Sequence, residues 1–122
     1  MARTILIIED DEDIQNYYSF LLAGLDLKIL RALSGEAALE VVESEDVIDL
    51  ILLDVVLPGM GGDEFYRVLR EKLKSTIPVI VCSVDDRMLQ RVREVAPVQG
   101  VFTKGTRGDD LREMIVESLG GE

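Results

Sequence analysis

Acidic, hydroxyl and lysine side chains stand at the ends of four short apolar segments of this sequence. Glu9 and Asp10 follow the first segment, Asp54 follows another, and Ser83 and Lys104 mark the ends of two later ones. These residue types offer carboxylate, hydroxyl and lysine chemistry, and hard carboxylate oxygens favour Mg²⁺, Mn²⁺ or Ca²⁺. Carboxylates about 4 Å apart repel by roughly 4 kcal/mol per pair at an effective dielectric near 20. A divalent cation would offset that repulsion.

Each of these residues also has an ordinary structural explanation. An acidic run such as 9–13 often caps the helix that follows it, and Asp54 precedes a Leu57-Pro58-Gly59 turn that it could help to form. A lone lysine after a strand is usually exposed. Their joint occurrence at four of five predicted strand ends favours a shared site.

The elements that must position these side chains alternate regularly along the chain. Amphipathic stretches with helical spacing separate five short segments rich in β-branched residues or leucine, which we interpret as strands at 4–8, 27–32, 48–53, 78–83 and 100–103. Five βα units predict a single α/β domain, residues 1–122, with a parallel sheet covered on both faces. In the flavodoxin-like (βα)5 order 2-1-3-4-5, the first and third strands are neighbours, so Glu9, Asp10 and Asp54 would converge.

Composition excludes several classes of function. Twenty-four acidic against thirteen basic residues give a net charge of −11, which argues against direct binding of nucleic acid. The absence of histidine excludes Ser-His-Asp and Cys-His catalysis, and a single cysteine, Cys82, excludes an intramolecular disulfide. The longest apolar runs are four residues, whereas a membrane helix needs about 20. We therefore expect a cytoplasmic protein without a membrane segment.

Four segments carry a resemblance to the receiver domain of two-component response regulators: ILIIEDDEDI (5–14), DLILLDVVLPGMGG (49–62), IPVIVCS (77–83) and VFTK (101–104). The resemblance covers the whole chain. It implies that Asp54 is the phosphoacceptor and that Glu9, Asp10, Asp54 and the backbone carbonyl of Val56 bind Mg²⁺. It further implies that Ser83 and Lys104 contact the phosphoryl group, whereas Asp11 leads the first helix and binds no metal.

The resemblance also implies an activity and its partners. The phosphoryl donor would be a phosphohistidine on a histidine kinase or a phosphotransfer protein. The chain would be a signalling receiver that catalyses its own phosphorylation and slow dephosphorylation, and no enzyme acting on a separate substrate. Phosphorylation would change the face formed by the fourth helix, fifth strand and fifth helix and so signal to an output partner or domain. The sequence leaves open whether phosphorylation also causes the chain to form a homodimer.

The sequence departs from the family at three places. Val101 stands where the family has Tyr or Phe, Lys104 is followed by Gly105 where Lys-Pro is common, and residues 96–99 replace the usual small acidic turn. We expect a trans bond at 104–105, because a cis bond without proline costs about 2.5–4 kcal/mol. Phe102 should face the opposite side of the sheet from Val101 and pack in the core.

Two alternatives follow from these observations. The departures favour, slightly, a phosphorylation-independent pseudo-receiver that acts as an interaction module. The other alternative is a phosphatase or phosphotransferase with an aspartyl nucleophile. Enzymes of that type resemble one another in a D-x-D motif, and the residue at the position of its second Asp is Val56 here, which argues against this class.

Overall fold

A computed structural model describes residues 2–45, 47–83, 86–103 and 107–120 of the chain. Five strands alternate with five helices. The strands are β1 (Arg3–Ile8), β2 (Leu27–Ala32), β3 (Leu50–Asp54), β4 (Val79–Ser83) and β5 (Gly100–Thr103). The helices are α1 (Glu12–Leu21), α2 (Gly35–Ser44), α3 (Gly62–Arg67), α4 (Asp86–Val95) and α5 (Gly108–Ser118). Within the described ranges, no helix is long and apolar enough to cross a membrane.

The five strands form one parallel sheet in the order β2-β1-β3-β4-β5, which confirms the predicted flavodoxin-like topology. The predicted bounds of β2 and β5 are correct. Strand β3 begins two residues later than predicted and extends to Asp54, because Asp54 pairs with Cys82 of β4. Asp54 is therefore the last residue of the strand and lies at the carboxyl edge of the sheet.

Helices cover both faces of the sheet, as strands that are apolar throughout their length require. Helices α2, α3 and α4 contribute Ala38, Phe65 and Val92 to the core on one face. Helices α1 and α5 enclose the other face, where Tyr18 and Ile115 pack. Every residue of β3 and β4 is buried, so the side chains at the carboxyl ends of these strands stand on a rigid base.

Polar groups fix the two ends of α1. Asp11 is the N-cap, and its side chain accepts hydrogen bonds from the backbone N–H groups of Asp13 and Ile14. At the other end, the Arg112 guanidinium of α5 donates to the carbonyl oxygens of Leu21 and Ala23, at 2.8 and 2.9 Å. A positive charge is favourable at a helix C-terminus, so α5 stabilises the end of α1.

Other helix starts agree with the sequence only in part. The predicted N-cap Ser34 accepts from Ala37 N–H at 3.0 Å. The sequence also offers Asp85 or Asp86 as the N-cap of α4, and Asp86 is the first residue of that helix. The other candidate, Asp85, lies outside the described residues.

The end of α3 differs from the regular helix that the spacing of its apolar residues predicts. After Arg67 the chain continues as a π-helical turn, Val68–Lys72, in which Leu73 N–H donates to the Val68 carbonyl. The wider turn moves Leu73 out of the core, and its side chain is exposed. The chain then reverses at Lys74, which has a φ of 54°.

Candidate functional site

Three carboxylates meet at the carboxyl edge of the sheet. Ile8 of β1 pairs with Leu53 of β3, so the residues that follow them lie at the same level. One carboxylate oxygen from each of Glu9, Asp10 and Asp54 lies within 4.8 Å of the other two. Glu9 and Asp54 are buried, at 1% and 4% exposure, and Asp10 is exposed. The convergence expected from the strand order is thus present.

Backbone N–H groups orient these side chains. Asp11 N–H donates to Glu9 Oε2 at 3.2 Å, and Val56 N–H donates to Asp54 Oδ1 at 3.1 Å. The second bond shows that Asp54 helps to form the turn after β3, which is its ordinary structural explanation. Asp54 does this and is also one of the three clustered carboxylates. Because the Asp11 side chain caps α1, it is helix-leading, as predicted.

The donor set fits a hard divalent cation. All three side chains present oxygen, and Mg²⁺ commonly binds one or two carboxylates together with several waters. Oxygens no more than 4.8 Å apart repel by at least about 3.5 kcal/mol per pair at an effective dielectric near 20 when all three groups are ionised. A cation would remove this repulsion, and the exposure of Asp10 leaves one side of the cluster open to solvent.

The other predicted site residues are described unequally. Ser83 ends β4, next to Asp54's pairing partner Cys82, and is buried at 5% exposure. Val56 follows the cluster with a side chain that is 55% exposed. Lys104 and Gly105 lie outside the described residues, so the predictions for them, including the trans bond, stay predictions.

Two of the three departures from the family pattern, Val101 and the 96–99 segment, lie among the described residues. Val101 pairs with Val81 and is partly buried. Phe102, on the opposite face, is buried with Cys82 and Ile115, so its prediction as a core residue is confirmed. The altered 96–99 segment is tied to α3, because the Tyr66 hydroxyl donates to the Pro97 carbonyl.

Tyr18 belongs to this site, although the sequence indicated only that one of Tyr17 and Tyr18 would face the core. Tyr18 is that residue, and Tyr17 is 48% exposed. Burial raises the pKa of the Tyr18 hydroxyl far above its usual value, and a hydrogen bond with the Cys82 side chain and the nearby charges of Glu9 and Asp54 act in the same direction. Tyr18 therefore stays a neutral phenol near Glu9 and Asp54.

Gln15 was missed altogether. It is fully buried beside Glu9, and its amide contacts the Glu9 carbonyl. A signal existed in the sequence, since Gln15 shares helical spacing with Tyr18 and Leu22 and thus lies on the buried face of α1. A polar residue on such a face calls for buried partners.

Comparisons with known proteins agree with this geometry. The family model of the response regulator receiver domain matches residues 5–116. The chain is 30% identical over 120 residues to YrkP, an uncharacterized transcriptional regulatory protein of Bacillus subtilis, aligning 98% of this chain with 50% of that protein. It is 34% identical over 116 residues to a cyclic di-GMP phosphodiesterase of Thermotoga maritima, covering 95% of this chain and 31% of the relative.

The chain therefore spans half of the first relative and about a third of the second. Among solved structures, the signal receiver domain of a signal transduction histidine kinase from Syntrophus aciditrophicus superimposes with a TM-score of 0.80 at 28% identity. The alignment covers 98% of this chain and 92% of that one. On this match of sequence, fold and acidic cluster, the chain belongs to the response regulator receiver domain family of two-component regulatory systems.

Proposed function

We propose that residues 1–122 form one receiver domain that accepts a phosphoryl group on Asp54 in a Mg²⁺-dependent reaction. The observation that supports this most is the convergence of Glu9, Asp10 and Asp54 within 4.8 Å at the carboxyl edge of the sheet. Two of these carboxylates are buried and would repel without a counter-charge. Such an arrangement is costly for a purely structural loop.

The proposed metal ligands are Glu9, Asp10, Asp54 and the backbone carbonyl of Val56. When bound, Mg²⁺ would neutralise the cluster and coordinate a phosphoryl oxygen, so that an anionic donor can approach an anionic nucleophile. The hydrogen bond from Val56 N–H holds Asp54 Oδ1 in place. The N–H group of Val56 would thus orient the nucleophile, and its carbonyl would bind the metal.

In the proposed reaction, a carboxylate oxygen of Asp54 attacks the phosphorus of a phosphohistidine. An O–P bond forms, the N–P bond breaks, and the imidazole leaves with the electron pair and takes a proton from solvent. Ser83 would donate a hydrogen bond to one phosphoryl oxygen and Lys104 would neutralise another. Water later hydrolyses the acyl phosphate and restores the carboxylate.

The donor imidazole must lie outside residues 1–122, because these residues include no histidine. We assign the donor to a histidine kinase or a phosphotransfer protein. The phosphate adds roughly −1.5 to −2 charges and three acceptor oxygens, and the signal would pass through α4, β5 and α5 to an output partner or domain. The names of the longer relatives, a transcriptional regulatory protein and a phosphodiesterase, suggest two kinds of output.

One observation favours a second candidate, a pseudo-receiver that binds its partner without phosphorylation. Val101 has no aromatic ring that could rotate and couple β5 to Ser83. A short aliphatic side chain transmits less movement from the site to the surface.

The test is incubation of the full chain with acetyl phosphate and MgCl₂, followed by intact mass spectrometry, and NMR with beryllofluoride. The wild type should gain one phosphoryl group, Asp54→Asn should gain none, and Asp26→Asn should behave like the wild type. Asp26 is an exposed carboxylate in the turn before β2, at the opposite edge of the sheet. A wild type that gains no phosphate and shows no spectral change would refute the phosphoacceptor proposal and support the pseudo-receiver.

A further inference from the structure

Gln15 joins three chain segments beneath the acidic cluster. Its side chain is fully buried, and the amide nitrogen Nε2 lies 2.9 Å from the Ile7 carbonyl oxygen. The same nitrogen lies 3.1 Å from the carbonyl oxygens of Glu9 and Ala32. Ile7 is near the end of β1, Ala32 ends β2, and Glu9 begins the loop to α1. One amide group therefore connects two strand ends with the loop that carries two of the carboxylates.

The orientation of this amide follows from its neighbours. All three nearby groups are carbonyl oxygens, which accept hydrogen bonds, so the NH₂ end of Gln15 must face them. The other end, Oε1, is buried and has no hydrogen-bond partner among the described residues. A buried acceptor without a partner is unfavourable. An apolar residue would avoid that penalty, which indicates that the donor end of Gln15 has a role.

That role centres on Glu9, which is held at three points. Its N–H donates to the Ala32 carbonyl at 3.1 Å, and its own carbonyl accepts from Gln15. Its carboxylate Oε2 accepts from Asp11 N–H at 3.2 Å. The backbone of the loop is thus fixed on both sides of the Glu9 side chain, at the position from which its carboxylate reaches Asp54.

We propose that Gln15 is a positioning residue that holds the loop of Glu9 and Asp10 in the geometry that a divalent cation requires. This inference rests on the proposed Mg²⁺-dependent function. The three carboxylates repel one another. Without this amide, the loop that carries Glu9 and Asp10 would therefore move away from Asp54 before the cation binds. The cation would then have to reorganise the loop, which lowers its affinity. Groups that orient metal ligands typically change metal affinity by about 10–100-fold.

The test is an ¹⁵N NMR titration of the full chain with MgCl₂, comparing the wild type, Gln15→Met and Asn16→Ala. Methionine has a similar shape and no donor, whereas Asn16 is an exposed amide on the same helix whose Oδ1 accepts a hydrogen bond from Arg31. Gln15→Met should weaken Mg²⁺ binding at least about tenfold, and Asn16→Ala should leave it unchanged.

A kinetic measurement separates positioning from a general loss of stability. With acetyl phosphate as donor, Gln15→Met should raise the MgCl₂ concentration for half-maximal phosphorylation by the same factor as its dissociation constant. The rate at saturating MgCl₂ should match the wild type. A partly unfolded variant would also show a raised midpoint, because only the folded fraction binds the cation. The comparison therefore uses Gln15→Met that circular dichroism shows to be fully folded in EDTA, so that a shifted midpoint reports positioning and an unshifted one refutes it.

The outcomes distinguish this inference from the function on which it rests. A folded Gln15→Met that binds Mg²⁺ as tightly as the wild type overturns the positioning role and leaves the proposed function intact. A wild type whose cluster does not respond to MgCl₂ overturns both. If Gln15→Met does not fold, the wild-type titration decides. The side-chain NH₂ signals of Gln15 should shift with the same MgCl₂ midpoint as the backbone N–H signals of Glu9 and Asp10. Gln15 signals that do not shift overturn the inference.

Discussion

Replacing Asp54 by Asn should make the protein more stable when no divalent cation is present. An Asp54 carboxylate oxygen lies within 4.8 Å of an oxygen of Glu9 and of Asp10. At that distance each ionised pair repels by about 3.5 kcal/mol at an effective dielectric near 20. Asparagine has the same shape and keeps an oxygen that can accept from Val56 N–H, so the substitution removes charge with little other change.

The net gain must be smaller than the sum of the two pairs. Asp10 is exposed, so water and salt screen its share. Lys104, as the family resemblance implies, would offset part of the remaining repulsion. We therefore expect a net stabilisation of about 1–3 kcal/mol, dominated by the pair between Asp54 and the buried Glu9.

Urea unfolding in EDTA measures this gain. With a denaturant slope of about 1.5 kcal/mol per M, a stabilisation of about 2 kcal/mol moves the midpoint upward by roughly 1.3 M. Adding MgCl₂ should stabilise the wild type more than Asp54→Asn and close the gap. Asp26→Asn, at the other edge of the sheet, should change the free energy of unfolding by less than about 0.5 kcal/mol. An Asp54→Asn midpoint at or below that of the wild type in EDTA would refute the electrostatic reasoning.

Three further predictions follow from the site and its supports. Gly62→Ala should destabilise the fold by about 1–3 kcal/mol or more in urea unfolding, because an added Cβ would lie 2.5 Å from the Val55 Cα; Gly100→Ala, whose nearest neighbour is a flexible methionine sulfur, should cost less, and equal costs would contradict this. Because the pKa of Tyr18 is raised, the folded state keeps a proton that the unfolded state releases near its usual pKa of about 10. The free energy of unfolding should therefore be unaffected by this group below about pH 10 and fall as the pH rises beyond it. Tyr18→Phe should flatten this alkaline loss, and an unchanged slope would count against it. Val56, whose exposed side chain cannot hydrogen-bond an attacking water, should slow dephosphorylation, so Val56→Asn should shorten the phosphoryl half-life, and equal half-lives would argue against this role.

The fold and the acidic cluster were predictable because local apolar patterns identify the βα units and a repeated βα order admits few sheet topologies. The alternation of β-branched segments with helical spacing determines the βα units, and the strand order then brings positions 9, 10 and 54 together. The end of α3 was not predictable from spacing, since a π-helical turn has one residue more per hydrogen-bonded loop and moves Leu73 away from the core. Such a change depends on tertiary packing, which the local apolar pattern does not record.

The buried support of the site was harder to predict for a related reason. Gln15 and Tyr18 have the spacing of core residues, but their role depends on backbone carbonyls and on a cysteine that come from distant segments. A polar residue on an apolar helix face indicates that partners exist without identifying them. Lys104 shows the opposite case, since its role rests on family resemblance while its position lies outside the described residues.

The most direct test of the central claim is to locate the phosphorylated residue. The full chain is treated with acetyl phosphate in MgCl₂ or in EDTA, the acyl phosphate is trapped by borohydride reduction, and the peptides are sequenced by mass spectrometry. The account predicts modification at Asp54 alone, present with MgCl₂ and lost in EDTA. Modification at another residue, or at Asp54 to the same extent in EDTA, would contradict it.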